Sequence, residues 1–593
     1  MTLPDDEDAA PKRTGPASQN SGEAKNSCGV RIARRGPPPE AGAWHTAPRV
    51  VARFLTRARH AAGMAFLLGL GASLAVTSRA APQEYDVILR NGRVVDGTGG
   101  PWFRADVAVS GDTIVAVGSA LPGTGRRTID LHGQVLAPGF IDVHTHARRG
   151  ILEVPTADNY VLQGVATVFD GQDGSSPLPV SGLLERVAAL PPAVNFGTFV
   201  GHGSVREEVM GREDRVPTPA ELERMVAIVA QSMKEGAFGL STGLFYVPGA
   251  FARTEEVVAL ARAAGEGGGI HVSHMRDEAA GVLESVAETI TIGEEGQLPT
   301  QVTHHKIIGR AGWGKSAETL RLVAEARARG IDVTIDQYPY TASSTSFTGA
   351  LFPSWALEGG TETRAARLAE PESRARIREA VIEKIWNERG GGDASRLQIA
   401  AFPDDPSFDG ETLADVLRER GREPTVEAAA DLVIELVERG GATGIFHAMA
   451  EEDVERILTS PLTMVASDGE IPVFGRGQPH PRSYGTFARV LGLYVREKGL
   501  LTLEEAVRKM TSLPATRAGL SGRGLVRPGM KADLVVFDPA TIRDRATFEK
   551  PHAYAQGVSF LLVNGILVVD EGRLTGVRPG RVLLGPAAVG GDR

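Results

Sequence analysis

The stretch Ala137 to Gly150, which reads APGFIDVHTHARRG, decides the fold class of this chain. A proline and a glycine break the chain first, and the apolar run Phe140 to Val143 then has the composition of a short buried strand. Side chains two positions apart on a strand project to the same side, so His144 and His146 converge at its carboxyl end. Because such pairs also occur by chance on exposed strands, a metal site needs further residues.

Short apolar runs alternate with helical stretches through the middle of the chain, a pattern typical of a parallel α/β barrel. Eight strand candidates follow His146, or nine with the first strand: GVATVFDG, AVNFGTFVGHG, AFGLSTG, GIHVSHMRDE, TQVTHHKIIG, IDVTIDQYPY, ATGIFHAMAEED and TMVASDGEI. We therefore predict an α/β fold, a metal-dependent (β/α)8 TIM-like barrel over residues 138–515.

The segments before and after the predicted barrel have a different sequence pattern, in which apolar and polar residues alternate as in short β-strands. The first segment, YDVILRNGRVVDG, ADVAVSGDTIVAVG and TIDLHGQVLAPG, contains the turn pairs Asn91-Gly92 and Gly111-Asp112. The second segment consists of KADLVVFDPA and FLLVNGILVVDEGRLTG. We predict that residues 84–137 and 516–593 pair into one small β-sandwich, into which the barrel is inserted.

A long insertion interrupts the barrel at about residues 345–440. It includes SRARIREAVIEKIW, where Ile377, Val381 and Ile385 repeat at helical spacing, so the insertion is predicted to be helical. A lid over the site and simple decoration of the barrel wall are both open interpretations.

The chain before residue 84 is predicted to lie outside the folded body. Residues 1–62 are rich in Pro, Gly, Ser and charge and lack periodicity, which indicates either a disordered extension or a translation start placed too far upstream. Residues 63–80 contain an apolar run with basic residues before it and small residues after it, which predicts a signal peptide cleaved just after Ala80. The run is short for a bilayer span, and an uncleaved anchor is the competing interpretation. We therefore expect export to the periplasm or the extracellular space.

Charge and cysteine content exclude several classes of function. Residues 1–80 carry 11 of the 64 Lys+Arg and 6 of the 73 Asp+Glu, which leaves 53 against 67 and a net charge of −14. Such a body disfavours phosphate backbones and anionic lipid. Cys28, the only cysteine, falls in the predicted leader, so disulfides and thiolate chemistry are excluded from the mature body. The expected partner is a small-molecule substrate, with no nucleic acid, no stable membrane span and an undetermined oligomeric state.

The polar residues that end the apolar runs form a coherent set, because catalytic groups of such barrels lie at the carboxyl ends of the strands. They are His144 and His146, Asp173 in DGQDG, His274 in HVSHM, His304 in VTHHK and Asp468 in VASDG. Four imidazoles and two carboxylates are a ligand set for zinc or a similar divalent ion. The sequence therefore predicts a metal site.

Longer motifs surround these residues: PGFIDVHTH, GAFGLSTGLFYVPG, HVSHMRDE, VTHHK, DQYPYTAS, SDG followed by HPRSYGTFARVLG, and RPGMKADLVVFDPATIRDRATFEKPHAY. Together they resemble the N-acyl-D-amino-acid deacylases, or D-aminoacylases, of the amidohydrolase superfamily. The resemblance extends over about residues 85–585. It implies a metal-dependent β/α barrel joined to a small β-sandwich built from both chain ends.

By position, the resemblance implies roles for five of the strand-end residues. His144 and His146 match the family's first-strand metal ligands, and His274 and His304 match its later histidine ligands. Asp468 matches its catalytic aspartate. The implied cofactor is zinc, as one ion or two.

One position departs from the family. Where many members have GNCG with a metal-binding cysteine, this chain has Gly171-Gln172-Asp173-Gly174. A carboxylate binds zinc through oxygen, so Asp173 is a candidate ligand in place of the thiolate. The alternative is a turn aspartate bonded to nearby backbone, and the number of ions stays open with it.

These groups permit hydrolysis of an amide. Zinc lowers the pKa of water toward about 7, and Asp468 is expected to take the proton of the attacking water and deliver it to the departing amine. Lys306 and Tyr338 match family positions that contact the α-carboxylate of the leaving amino acid. Arg482 in HPRSYG is a third candidate on charge alone, with a structural ion pair as its alternative role.

The predicted function is zinc-dependent hydrolysis of N-acyl-D-amino acids to a carboxylate and a free D-amino acid. A dipeptidase acting on L-Xaa-D-Xaa peptides is the near alternative, and a cyclic-amide hydrolase or an inactive binding protein is less favoured. His305 and His447 also lie near strand ends but are not expected to be ligands. The motif GHGSVREEVMG (201–211) has no role derivable from its letters, and Ser204 lacks the setting of a nucleophile elbow.

Overall fold

The computed structural model describes residues 84–588. The predicted extension at residues 1–62 and the predicted signal segment at residues 63–80 lie outside the described residues. Within residues 84–588, no helix is both long enough and apolar enough to cross a membrane.

The strands are given first, in chain order. They are β1 Glu84–Val94, β2 Phe103–Ser110, β3 Thr113–Gly118, β4 Thr124–Asp130, β5 Val135–Pro138, β6 Phe140–Asp142, β7 Val165–Asp170, β8 Asn195–Thr198, β9 Val200–Gly201, β10 Gly239–Gly243, β11 Ile270–His274, β12 Thr300–Val302, β13 Val333–Gln337, β14 Ser343–Ser346, β15 Leu397–Ala401, β16 Thr443–Phe446, β17 Thr463–Val465, β18 Leu534–Phe537, β19 Val558–Val563, β20 Ile566–Asp570 and β21 Arg573–Leu574.

The helices follow, in the same order. They are α1 Asp158–Val161, α2 Val180–Ala189, α3 His202–Met210, α4 Pro219–Glu235, α5 Thr254–Glu266, α6 Val282–Gly296, α7 Ser316–Ala328, α8 Phe347–Leu351, α9 Ser354–Leu357, α10 Gly360–Ala369, α11 Pro371–Lys384, α12 Leu413–Glu419, α13 Val426–Glu438, α14 Glu451–Thr459, α15 Arg482–Arg489, α16 Leu503–Met510 and α17 Ser512–Arg517.

Eight parallel strands form the predicted barrel. β6, β7 and β8 are neighbours, and β9, which continues β8, leads through β10, β11, β12 and β13 to β17. The ring closes just beyond β17 and β6, where Asp468 N donates to His144 O at 2.8 Å and His146 N donates to Gly469 O at 2.7 Å. Buried Asp142 reinforces the closure, because its Oδ1 accepts from the backbone N–H groups of His144 and Ser467.

One predicted barrel strand belongs elsewhere. The run ATGIFHAMAEED contributes β16, which pairs antiparallel with β14 and β15 rather than with a barrel strand. Its apolar letters predicted burial correctly, but burial alone does not identify the neighbouring strand. The ring therefore has eight strands, because the first strand β6 belongs to it and β16 is lost from the nine candidates.

The insertion has its own apolar core, formed where helices α8 to α13 pack around the sheet β14–β16–β15. Ile377 and Val381 of α11 are fully buried in it, as their helical spacing predicted. The insertion includes a sheet as well as helices and spans residues 343–446, slightly more than the predicted range.

Both chain ends build the predicted β-sandwich. Its sheet runs in the order β21-β20-β19-β18-β5-β1-β2-β3, with β4 paired to the first half of β1. The antiparallel pair β5–β18 joins the two ends. Asn91-Gly92 was expected to be a turn, but β1 continues through it as a bulge between its pairing with β4 and its pairing with β5. Gly111-Asp112 does connect β2 and β3 as a two-residue turn.

The tail after the sandwich returns to the barrel. Phe196 N in β8 donates to Arg581 O at 2.9 Å, and Leu583 N donates to Phe196 O at 2.8 Å. Residues 580–585 therefore lie against a barrel strand, although the sequence placed them with the sandwich.

Candidate metal centre and active site

The predicted strand-end residues meet at one rim of the barrel. His144 Nε2 lies 3.5 Å from Asp173 Oδ1 and 3.5 Å from Asp468 Oδ1. His146 Nε2 lies 3.3 Å from Asp173 Oδ2 and 3.1 Å from Asp468 Oδ1. Both imidazoles lie just beyond the end of β6 at Asp142, and both face the same two carboxylates.

The other two histidines meet the same aspartate from the opposite side. His274 ends β11 and His304 follows β12, and His274 Nδ1 lies 2.7 Å from His304 Nε2. Asp173 Oδ1 is 3.4 Å from His274 Nδ1 and 3.3 Å from His304 Nε2. Asp173 is therefore shared by two overlapping groups, His144–His146–Asp173–Asp468 and Asp173–His274–His304, in each of which the candidate ligand atoms lie within 4.8 Å of one another.

The geometry of these groups fits a divalent ion. Ligand atoms 2.0 to 2.1 Å from a tetrahedral ion are separated from each other by about 3.3 Å, and most of the separations above are close to that value. Within residues 84–588, His144 Nε2, Asp173 Oδ1 and Asp468 Oδ1 are buried atoms without a hydrogen-bond partner. Buried polar atoms are rarely left unpaired, so these atoms indicate a cation as their partner.

Electrostatics favour a cation in the same place. Burial alone would lower the pKa of His144, but the carboxylates of Asp468 and Asp173 hold that pKa well above its ordinary value. Burial alone would raise the pKa of Asp468, but Arg482 and His144 hold it well below its ordinary value. The carboxylates of Asp468 and Asp173 thus stabilise positive charge at His144, and Asp468 itself is held in its ionised form.

Two carboxylates behind the imidazoles were missed in the sequence. Asp336, at the end of β13, accepts from His304 N at 2.7 Å and lies 3.5 Å from His144 Nδ1. Glu278 Oε1 lies 3.2 Å from His304 Nδ1. Such partners orient ligand imidazoles. The strand-end rule could have found Asp336 in DQYPY, whereas Glu278 lies in a loop after β11 and carried no comparable signal.

The three predicted substrate-binding residues lie beside the metal groups. Lys306 Nζ donates to Glu278 Oε1 at 2.5 Å and contacts His304 Nδ1 at 2.8 Å. Arg482 forms an ion pair of 2.8 Å with Asp468 Oδ2, so its alternative role as an ion-pair partner is present in the structure. The Tyr338 ring lies between the two cations, 4.7 Å from the Arg482 guanidinium and 5.7 Å from Lys306 Nζ.

Two of the remaining candidates, His305 and His447, face elsewhere, whereas Ser204 lines the same cavity as His146 and Asp173. His305 Nε2 bonds to Thr319 Oγ1 at 2.7 Å, and His447 packs on the Phe548 ring at 4.7 Å between centroids. Ser204 Oγ accepts from Ser176 N at 3.0 Å. None of these three contacts involves the carboxylates of the two metal groups.

Two cavities adjoin the site. One of about 770 Å³ is lined by Asp468 and by the apolar insertion residues Ala400 to Phe402. The other, of about 470 Å³, is lined by His146 and Asp173. Arg482 and Ser344 line both cavities. The insertion is therefore a wall of the site and not a remote decoration of the barrel.

The chain is similar to characterised proteins over most of its length. Residues 127–569 match the amidohydrolase family. Against the D-aminoacylase of Alcaligenes xylosoxydans xylosoxydans the chain is 38% identical over 534 residues, which are 86% of this chain and 100% of that protein.

Two solved structures resemble it at a TM-score of 0.71 over 84% of this chain. One is a D-aminoacylase, 38% identical and matched over 100% of its chain, whose binuclear centre shows activation by one metal and attenuation by the second. The other is the N-acyl-D-glutamate deacylase of Bordetella bronchiseptica, 36% identical and matched over 99% of its chain, in complex with zinc and a phosphonate that mimics the tetrahedral intermediate.

Proposed function

The chain belongs to the amidohydrolase family, and we propose that it is a metal-dependent hydrolase that cleaves N-acyl-D-amino acids into a carboxylate and a free D-amino acid. The observation that carries this proposal is the convergence of four histidines on Asp173, with Asp468 beside them. Similarity to D-aminoacylase over that protein's whole length supports the D configuration and the linear amide.

The proposed cofactor is zinc, as one ion or two. His144, His146 and Asp173 would hold the first ion, and Asp173, His274 and His304 would hold the second. When bound, zinc supplies Lewis-acid stabilisation of negative charge and lowers the pKa of water toward about 7. The zinc in the related deacylase supports this choice of ion.

Asp468 is the proposed proton carrier. Its Oδ1 faces the first metal group without a hydrogen-bond donor among the described residues, while its Oδ2 is held by Arg482. A carboxylate kept ionised in this position accepts the proton of the attacking water and returns it to the departing nitrogen.

The leaving amino acid needs a partner for its α-carboxylate. Arg482 is placed for this role, because it lines both cavities and adjoins Asp468. Lys306 and Tyr338, the other two proposed contacts, lie behind Arg482, with the Tyr338 ring next to both cations. A guanidinium binds a carboxylate bidentately, so Arg482 would fix the orientation of the scissile amide.

Asp409 favours hydrolysis of L-Xaa-D-Xaa dipeptides as a second candidate function. It lines the larger cavity, and its Oδ1 accepts from Phe402 N at 2.7 Å. Among residues 84–588 no cation pairs with it, whereas Glu153, on the same cavity, pairs with Arg476. An unpaired carboxylate there would bind the free ammonium group of an aminoacyl substituent.

The test uses protein that starts near Ala81, loaded with zinc, on paired D and L N-acetyl amino acids and on L-Xaa-D-Xaa dipeptides. We expect cleavage of the D series and loss of at least about 100-fold in kcat for Asp468→Asn, because general acid–base catalysis contributes roughly 10² to 10⁴. Cleavage of the L series alone would refute the proposed substrate. If dipeptides were preferred, Asp409→Asn should lower that preference and Glu153→Gln should not.

We also propose that the protein is exported, as the signal-like segment at residues 63–80 suggests. N-terminal sequencing of the protein recovered from its source would show a start near Ala81. A start upstream of residue 63 would contradict cleavage.

A further inference from the structure

The loop that carries Asp173 has an unusual backbone. Gly171, Asp173 and Gly174 all have positive φ, at 81°, 57° and 71°. The left-handed region is open to glycine but unfavourable for a residue with a Cβ atom, so the surroundings must hold Asp173 there.

Ser241 in β10 holds both ends of this loop. Its buried hydroxyl donates to Gly171 O at 2.5 Å and accepts from Gly174 N at 3.0 Å. One side chain thus uses its donor and its acceptor on the two residues that flank the segment with Asp173.

Backbone atoms of two neighbouring segments lie very close to the loop of residues 171–174, one on each side. A Cβ atom on Gly243 of β10 would lie 2.1 Å from Asp173 O, and one on Gly201, just before α3, would lie 2.5 Å from the carbonyl carbon of Gly174. Only glycine permits such approaches. The loop therefore lies between β10 and the start of α3.

The start of α3 is itself anchored. Ser204 N donates to Gly174 O at 3.1 Å. Behind it, buried His202 Nε2 lies 2.9 Å from Glu256 Oε1, and Arg206 pairs with the other oxygen of the same carboxylate. The motif GHGSVREEVMG, which the sequence left without a role, thus fixes one side of the loop.

We infer that Ser241 is a positioning residue of the metal centre, which holds Asp173 in the backbone conformation that lets one carboxylate face both pairs of histidines. This inference rests on the metal centre of the proposed function but not on the proposed substrate. The Ser241 hydroxyl is not itself a metal ligand. It positions Asp173 through its hydrogen bonds to Gly171 and Gly174. Without it, Asp173 would lose its fixed place between His146 and His274.

The test is metal binding by Ser241→Ala, compared with wild type and with Thr242→Val. Thr242 is the matched control, because it is buried in the same strand but its hydroxyl contacts His271 and Ser273 and not the loop. Chelated protein is titrated with Co²⁺ by calorimetry, and the absorption and spin-coupling signals of bound Co²⁺ are recorded.

We expect Ser241→Ala to bind Co²⁺ about 10- to 100-fold more weakly, the usual effect of removing a residue that orients ligands, with weakened coupling between the two ions if wild type binds two. Thr242→Val should keep the wild-type affinity and spectra, even if it unfolds at a lower temperature. Wild-type affinity and spectra in Ser241→Ala would overturn the inference, as would equal weakening in both variants.

A second variant decides the case if Ser241→Ala does not fold. Ser241→Cys keeps the size of the side chain but replaces the hydroxyl by a thiol, which is a weak hydrogen-bond donor and acceptor toward Gly171 O and Gly174 N. It should weaken Co²⁺ binding in the same direction and by a smaller factor, and wild-type binding would then refute the role of the Ser241 hydroxyl. Because no substrate enters these measurements, their outcome is separate from that of the D and L assay.

Discussion

Asp468 and Arg482 form a buried ion pair of 2.8 Å at the catalytic rim. Burial alone would raise the pKa of Asp468, but Arg482 and His144 keep it well below its ordinary value. The carboxylate is therefore ionised across the neutral range. The pKa of this proposed base depends on how closely Arg482 contacts it, because the pKa rises when a charge contact is lost.

We predict that Arg482→Gln raises KM by about 10- to 100-fold, the value of one charge-assisted hydrogen-bond pair. Loss of the cation should also raise the pKa of Asp468. A base must be unprotonated to act, so the acidic limb of the kcat/KM profile should move to higher pH.

The measurement is kcat/KM against pH for both proteins. Arg489→Gln is the control, since that guanidinium pairs with Asp544 instead. An acidic limb that stayed in place would mean that Arg482 does not control the base.

Residue-scale prediction from the sequence worked where one rule sufficed. His144, His146, His274, His304 and Asp468 were predicted to meet because parallel strands present their carboxyl ends at one rim, and the structure places them there, while their roles stay predictions. Glu278 was missed because its approach to His304 depends on the path of a loop.

At the scale of elements, the insertion shapes the larger cavity. Its strand β15 ends at Ala401, and Ala400, Ala401 and Phe402 form an apolar wall opposite the loop that connects Asp468 to Arg482. We expect the bulkier groups of a substrate to lie against this wall. The insertion thus contributes residues to the lining of the larger cavity.

We predict that Ala401→Trp lowers kcat/KM for substrates with a bulky acyl group or side chain by at least about tenfold, the scale set by even one methylene in an apolar pocket. N-acetyl-D-alanine should be affected less. Ala365→Trp, on the exposed face of α10, is the control. Equal losses for small and bulky substrates would argue against this placement of the substrate.

Two element predictions failed for a shared reason. The local sequence predicted correctly that the β16 run is buried. It also predicted correctly that the backbone at Asn91-Gly92 is turn-like, because Asn91 has a positive φ. What it does not describe is the partner strand, since pairing is decided by segments far away in the chain.

At the scale of the whole molecule, the buried neutral histidines make the folded protein less stable at acidic pH. Burial, with a smaller effect of His202, lowers the pKa of His271 from 6.5 to about 3. Burial likewise lowers the pKa of His305 from 6.5 to about 4. Below pH 6.5 these two histidines bind protons in the unfolded chain but not in the folded chain. Their contribution to the free energy of unfolding is therefore complete above pH 6.5 and is lost as the pH falls toward 4.

We predict that the free energy of unfolding falls by about 1.4 kcal/mol per histidine per pH unit below the unfolded pKa. Urea unfolding between pH 7.5 and 5 measures this slope. His305→Gln keeps an amide that can bond to Thr319 and should reduce the slope by one histidine's share. An unchanged slope would show that His305 takes up its proton in the folded state.

The sequence by itself determined the alternating strands and helices, the division between barrel and sandwich, and the candidate ligands at strand ends, because these follow from local periodicity and from one rule of barrel geometry. Only the tertiary structure decided that Asp173 is shared by both histidine pairs, that Ser241 holds its loop, and that β16 leaves the barrel. Those facts depend on contacts between segments distant in the chain, and no local pattern of letters encodes which distant segments will touch.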